Sequence, residues 1–175
     1  TDLLAFPSGS KILIDELEFT TGGGGTNTAV ALSRLGHKVG FIGKLGTGTN
    51  SDFIHNDLKK EKIDLLCSHG KGHAGYSVIL DTLEHDRTIL VHKGINDELK
   101  PEDIPYKKLK TKWFYFGAML GQSFRTMERL AEFAQQNKIK IAFNPSTYLA
   151  EKGSRYLSHI ISRTELLVLN KEEAC

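Results

Sequence analysis

The sequence predicts an α/β fold, a parallel-sheet core with a smaller sheet set apart from it. Three observations carry this. From Trp113 onward, short apolar runs alternate with helix-patterned stretches, the order that lays strands parallel and helices across them. The runs at 113–116, 139–143 and 166–169 lack polar alternation, as strands covered on both faces do. Two stretches, 11–19 and 75–92, break that rhythm and read as strands of a separate small sheet.

In chain order, residues 11–19 alternate in their second half through Glu16, Leu17, Glu18 and Phe19. After the glycines at 22–25, Ala29, Val30, Leu32 and Leu35 recur at helical spacing, with Gly36 as terminator. Val39 to Ile42 forms a short buried strand, and Ser51 caps a helix through Ile54, Leu58 and Ile63. Gly75–Thr82 and Arg87–His92 are strands of a hairpin joined by residues 83–86. Ser123 caps a helix with Met127, Leu130, Ala131 and Ala134 in one stripe. A further helix is marked by Tyr156, Leu157, Ile160 and Ile161, and the last strand ends at Asn170.

The most informative segment is Thr21-Gly-Gly-Gly-Gly-Thr-Asn-Thr-Ala29. Consecutive glycines cost backbone entropy and persist where side chains would obstruct something. Feeding a helix N-terminus, they let a ligand touch main-chain N–H groups. Asn27 adds an amide that donates and accepts at once, which suits a polyhydroxylated ligand better than a phosphate; as an alternative it is a plain N-cap. A Walker A loop would need Gly-Lys-Ser/Thr here, and a dinucleotide fingerprint a third glycine at 27 and a later acidic residue. Both are missing, which disfavours a nicotinamide-dependent dehydrogenase.

Three polar motifs stand at the carboxyl ends of predicted strands: Gly117-Ala118-Met119, Asn144-Pro145-Ser146 and Asn170-Lys171-Glu172-Glu173. Open α/β sheets bind ligands at such ends. Asn170 with Glu173 also has the spacing of a capping box. Cys67, His69 and His73 could approach a zinc ion but lack a fourth ligand. No Gly-x-Ser-x-Gly elbow supports hydrolase chemistry.

With 175 residues, 39% hydrophobic, 25% charged and net charge +2, the chain has ordinary globular composition and no demand for nucleic acid or an anionic membrane. The basic stretch 107–112 reads as a solvated surface. No apolar run approaches a membrane span and no signal peptide opens the chain; two cysteines fit a reducing cytoplasm.

Gly22-Gly-Gly-Gly-Thr-Asn-Thr-Ala29 followed by Arg34-Leu35-Gly36 resembles the first signature of the ribokinase-like (PfkB-type) carbohydrate kinases. Phe6-Pro7, Val39–Gly43 with Gly46, Gly94-Ile95-Asn96, Asn144-Pro145 and Asn170–Glu173 fall in that family's order, so the resemblance covers nearly the whole chain. It implies a kinase transferring the γ-phosphate of ATP, with Mg2+, to a hydroxyl of a small sugar. Gly22, Gly23, Gly24, Gly25 and Asn27 would bind the sugar, Asn144 and Asn170 the nucleotide, and Glu173 magnesium through water. The lid at 11–19 and 75–92 would be a candidate homodimer surface.

The family's Gly-Ala-Gly-Asp string, which supplies base and anion hole, is missing, so the chain reads as one incomplete ribokinase-like domain with its base expected beyond Cys175. Gly46-Thr-Gly-Thr-Asn50 stands where the family often writes Gly-Asp-Asp, and Gly117-Ala118-Met119 lacks the glutamate that ribokinases place near the sugar. A nucleoside kinase of the same family and a non-catalytic sugar binder on a degenerate kinase fold are the alternatives.

Overall fold

A glycine-opened helix and two parallel ladders organise the chain, which the computed structural model describes over residues 5–81 and 87–174. Helix α1 (Gly24–Arg34) stops where Gly36 takes φ 87°. The N–H groups of Gly36 and His37 then reach back to the carbonyls of Ser33 and Leu32 at 2.9 and 3.1 Å, satisfying two helix-end acceptors. Strands β1 (Gly40–Phe41) and β2 (Lys44–Leu45) lead into α2 (Thr49–Lys60), followed by β3 (Asp64–Leu65) and β4 (Ser68–His69). β1 pairs with β3 and β2 with β4, both parallel. The N–H groups of Asp64, Leu66, Ser68 and Gly70 meet the carbonyls of Val39, Phe41, Gly43 and Leu45 at 2.9–3.0 Å. The four short strands are therefore one unbroken ladder, crossed over by α2. Ala29, Leu58 and Ile63 fill the space beneath.

β5 (Tyr76–Asp81) and β6 (Arg87–His92) form an antiparallel ribbon in register from Tyr76↔His92 to Asp81↔Arg87. Directly opposed residues share a face. One face thus carries Val78 and Leu90, the other Ile79, Ile89 and Val91, and all five are exposed. The predicted turn at 83–86 lies outside the described residues. At the root of the ribbon, a Cβ on Gly46 would overlap the Gly72 carbonyl oxygen, and one on Gly94 the His73 carbonyl. Only bare backbone fits there.

Three 3-10 turns between Gly94 and Lys108 lead to β7 (Trp113–Phe116). Then come α3 (Gly121–Gln136), β8 (Lys140–Phe143), α4 (Ser146–Ala150), α5 (Gly153–Ile161), β9 (Leu166–Leu167) and α6 (Lys171–Ala174). β7, β8 and β9 make a parallel sheet in that order. The main core lies between this sheet and α3 and α5, built on Met127, Leu130, Ala131, Ala134, Ile141, Phe143 and Ile160. The predicted α3 stripe is buried in full. Lys44 of β2 donates to Asp103 Oδ2 at 2.8 Å and to the Glu98 carbonyl at 3.2 Å, tying the first ladder to the 3-10 segment.

Several expectations are corrected. Residues 11–19 form no strand: they find no ladder partner among the described residues, and Leu13, Ile14, Leu17 and Phe19 lie exposed. Apolar alternation is not enough without a neighbouring strand to take the backbone groups. Ser51 and Ser123 do not cap. The helices begin earlier, at Thr49 and Gly121, so both serines sit in the first turn and are buried. Ser123 accepts the Leu99 N–H at 2.8 Å and donates to the Asn96 carbonyl, clamping the 3-10 segment onto α3. β7 is covered fully on one face and only in part on the other, since Phe114 and Phe116 are buried while Trp113 is exposed and Tyr115 half-buried. Leu166 to Leu169 also lie open, at 37–51% exposure, because no element among the described residues covers their outer side.

Candidate active site at the carboxyl end of the sheet

The Asn144 backbone N–H donates to the Phe116 carbonyl at 2.9 Å, which sets the ends of β7 and β8 side by side. The Asn144 amide then donates to the Val168 carbonyl at 2.8 Å and to Glu173 Oε2 at 3.4 Å. Asn170 Oδ1 accepts the Glu173 N–H at 2.7 Å, and Glu173 Oε2 accepts the Asn170 N–H at 3.2 Å. This is the reciprocal capping box the spacing allowed. Three predicted residues, Asn144, Asn170 and Glu173, therefore form one bonded cluster. Glu173 Oε1 enters none of the hydrogen bonds or ion pairs of the described residues, so one carboxylate oxygen remains available.

α1 arrives at the same end of the sheet. A Cβ built on Gly117, just past β7, would lie 3.5 Å from the Gly25 nitrogen. One on Gly24 would stand 3.8 Å from the Tyr115 hydroxyl, and one on Gly25 3.6 Å from the Phe41 ring. The cap of α1 is Gly23, whose φ of 94° favours glycine. Asn27 is thus no N-cap. Its N–H already bonds the Gly23 carbonyl at 2.9 Å and its side chain is exposed. Gly24, Gly25 and Thr26 hold the first-turn N–H groups that a helix cannot satisfy internally. A Cβ on Gly22 or Gly23 would meet open space, so no protein atom explains the lack of a side chain at Gly22, whereas at Gly23 the positive φ does.

The cysteine reading changes character. Cys67 donates weakly to the Phe41 carbonyl at 3.8 Å, and burial pushes its thiol up to about 11. A thiol held protonated makes a poor metal ligand. Among the described residues no three His, Cys, Asp or Glu side chains group to hold a metal ion.

Sequence reasoning passed over Lys93 and Tyr148. Lys93 Nζ stands 4.7 Å from the centroid of the Tyr148 ring, joining the root of the hairpin to α4. Its only sequence signal is a cation placed immediately before Gly94-Ile95-Asn96.

The description of pfkB family carbohydrate kinases matches residues 1–175. The chain belongs to this family. A ribokinase of Staphylococcus aureus is 28% identical over 170 residues, 95% of this chain and 54% of that protein. A 5-dehydro-2-deoxygluconokinase of Clostridium perfringens is 52% identical over 95 residues, 51% of this chain and 28% of that one. The solved structure of ribokinase from Giardia lamblia superposes with a TM-score of 0.79 at 22% identity, covering 97% of this chain and 53% of that one. That likeness shows the ribokinase-like fold. This pfkB family member spans about half the length of the Staphylococcus relative, 54% of it. No helix among the described residues is long and apolar enough to cross a membrane.

Proposed function

We propose that this chain binds the acceptor and part of the Mg-ATP of a carbohydrate kinase, as one incomplete ribokinase-like domain over residues 1–175. The observation that carries the reading is the meeting of the glycine-opened α1 with the strand ends at Gly117 and Asn144. A helix N-terminus freed of side chains lets sugar hydroxyls reach main-chain donors at Gly22 to Gly25, with the Asn27 amide beside them. The names of the Staphylococcus and Clostridium relatives point to a small sugar or sugar-derived acceptor.

Asn144 and Asn170 would contact the nucleotide, a reading supported by their bonds to Glu173, which hold its carboxylate in place. The free Glu173 oxygen, facing no described cation, fits a hydrated magnesium ion, which is bound through one or two carboxylates and keeps several waters. When bound, that ion neutralises charge on the phosphates. No general base is assigned among these residues.

The 75–92 hairpin serves as the lid. Its two apolar faces would be covered differently, one by the acceptor below and the other by a second copy of the chain. A reducing cytoplasm that holds ATP is the compartment this chemistry needs.

The test has two parts: calorimetric binding of small carbohydrates and Mg-ATP to this chain, and ADP release by the whole gene product. A phosphorylated carbohydrate is expected. Transfer to nucleosides alone would establish the nucleoside kinase instead. Binding without transfer would leave a non-catalytic sugar binder.

A further inference from the structure

The chain ahead of the glycine run is held at one point. Residues 5–20 are exposed throughout, and Thr21 is the first to be half-buried. Among the described residues, no backbone hydrogen bond takes in residues 11–22. Their one hydrogen bond comes from a side chain: the Thr21 hydroxyl donates to Asp57 Oδ2 at 2.5 Å, across 36 positions. Asp57 stands in α2 beside Leu58, which is buried in full in the core under the first ladder. The acceptor of this bond thus belongs to a firmly packed helix.

Helix α1 has a separate fastening. At its far end the Ser33 hydroxyl donates to the Glu61 carbonyl at 2.6 Å and Arg34 Nε to Glu61 Oε2 at 2.9 Å, while Ala29 joins the core of Leu58 and Ile63. The helix therefore keeps its place whether or not the Thr21 bond is made. The glycines do not. Downstream, the Asn27 N–H holds the Gly23 carbonyl at 2.9 Å, and upstream of Gly22 there is Thr21 alone. Packing does not confine Gly22 or Gly23, where even an added Cβ would meet nothing within 4 Å. Glycine has the widest backbone freedom of any residue, so four in a row hold one conformation only when both ends are tied.

We propose that Thr21 and Asp57 are a positioning pair, which sets the glycine run in the conformation that binds the acceptor. This rests on the reading of Gly22 to Gly25 and Asn27 as the acceptor site. Both side chains act through the backbone they hold. A run set in advance spares binding the entropy of ordering it, so the pair strengthens acceptor binding and leaves the nucleotide half, at Asn144, Asn170 and Glu173, as it is.

Four variants test it. Thr21→Val keeps the shape and removes the donor, and Asp57→Leu removes the acceptor oxygens; Thr21→Ser and Asp57→Asn keep one of each. Calorimetry uses D-ribose, D-fructose, D-glucose and Mg-ATP, following the sugar that binds wild type most tightly. Nitrogen-15 relaxation reads the Gly22 to Gly25 amides with no ligand present. Thr21→Val and Asp57→Leu should each lower their order parameters from about 0.85 to below about 0.6, with Ala29 to Leu32 unchanged. Each should weaken sugar binding about fivefold to thirtyfold, the entropy of fixing about one residue's backbone, and leave Mg-ATP binding unchanged. The double variant should be no worse than either alone, and Thr21→Ser and Asp57→Asn should keep most of the wild-type affinity. Far-UV circular dichroism checks that each variant is folded. Unchanged order parameters or unchanged sugar affinity in folded Thr21→Val overturns the inference and leaves the kinase reading intact. Equal loss of sugar and Mg-ATP binding overturns it too, by making the pair a contact of the fold at large. If folded wild type binds none of the three sugars, the acceptor reading falls and takes this inference with it.

Discussion

The two halves of the candidate site are built in opposite ways. Around Asn144, Asn170 and Glu173, side chains are bonded to each other and to the end of β9. Around Gly22 to Asn27 the chain presents bare backbone and one exposed amide. A bonded cluster serves the fold before it serves a ligand, so removing its hydrogen bonds disturbs stability and binding together. Open backbone contributes little to the fold, and substitution there separates the two. The contrast also tells why glycine recurs: at Gly46 the protein's own backbone forbids a side chain, whereas at Gly22 and Gly24 it does not.

The largest effect should come from a glycine that only the fold constrains. Gly46→Ala drives a methyl into the Gly72 carbonyl and should lower stability by about 3 kcal/mol, read from urea unfolding. A near-neutral result would remove the distinction between the two sets of glycines. Gly24→Val is the converse. Its Cβ meets nothing nearer than the Tyr115 hydroxyl at 3.8 Å, so the melting temperature should hold while carbohydrate binding is lost. If the variant stays folded and binds normally, the glycine run is only a turn.

Asn27→Ala should cost about 1–3 kcal/mol in acceptor binding by leaving desolvated hydroxyls unpaired, with Mg-ATP affinity and stability unmoved. Calorimetry decides, and unaltered acceptor affinity would take Asn27 out of the site. Glu173→Gln should barely change stability, because glutamine can still complete the capping box. In the whole gene product it should raise the magnesium concentration needed for half-maximal turnover. An unchanged magnesium dependence would make Glu173 purely structural.

The smallest effect is one of pH. Burial pushes the Asp103 carboxyl up, but hydrogen bonds from the Lys44 ammonium and the Lys100 N–H outweigh this and hold it below the ordinary carboxylate range. Its folded pKa is thus lower than its unfolded one. The stability it contributes is in full force above about pH 4 and fades as pH falls through the lower, folded value. Melting curves of wild type and Lys44→Met should differ at neutral pH and converge in acid.

The α/β alternation, the hairpin and the α3 stripe were legible because each is a local pattern with a fixed period. The Gly36 terminator was legible because φ 87° suits glycine. What escaped was set by partners distant in sequence. Residues 11–19 have the alternation of a strand, but none of the described strands lies beside them. Ser123 resembles a cap and instead binds Leu99 and Asn96, 24 and 27 positions away. In the site, the pairing of Asn170 with Glu173 could be read from spacing. The reach of Asn144 to Glu173, across 29 positions, could not. Lys93 and Tyr148 were invisible for the same reason, since a cation–ring contact leaves no periodic trace.

The packing at the foot of the hairpin has a mechanical consequence. Where Gly46 crosses Gly72 and Gly94 meets His73, backbones touch with no room between them, so the ribbon is clamped at its root as a beam is clamped in a wall. A clamped ribbon cannot swing like a door. It flexes along its six paired rungs, from Tyr76↔His92 to Asp81↔Arg87. Two-stranded ribbons of that length are free to twist and coil. Stiffening the middle, with a cross-strand disulfide between the opposed Ile79 and Ile89, would then hold the outer rungs while leaving the root as it is.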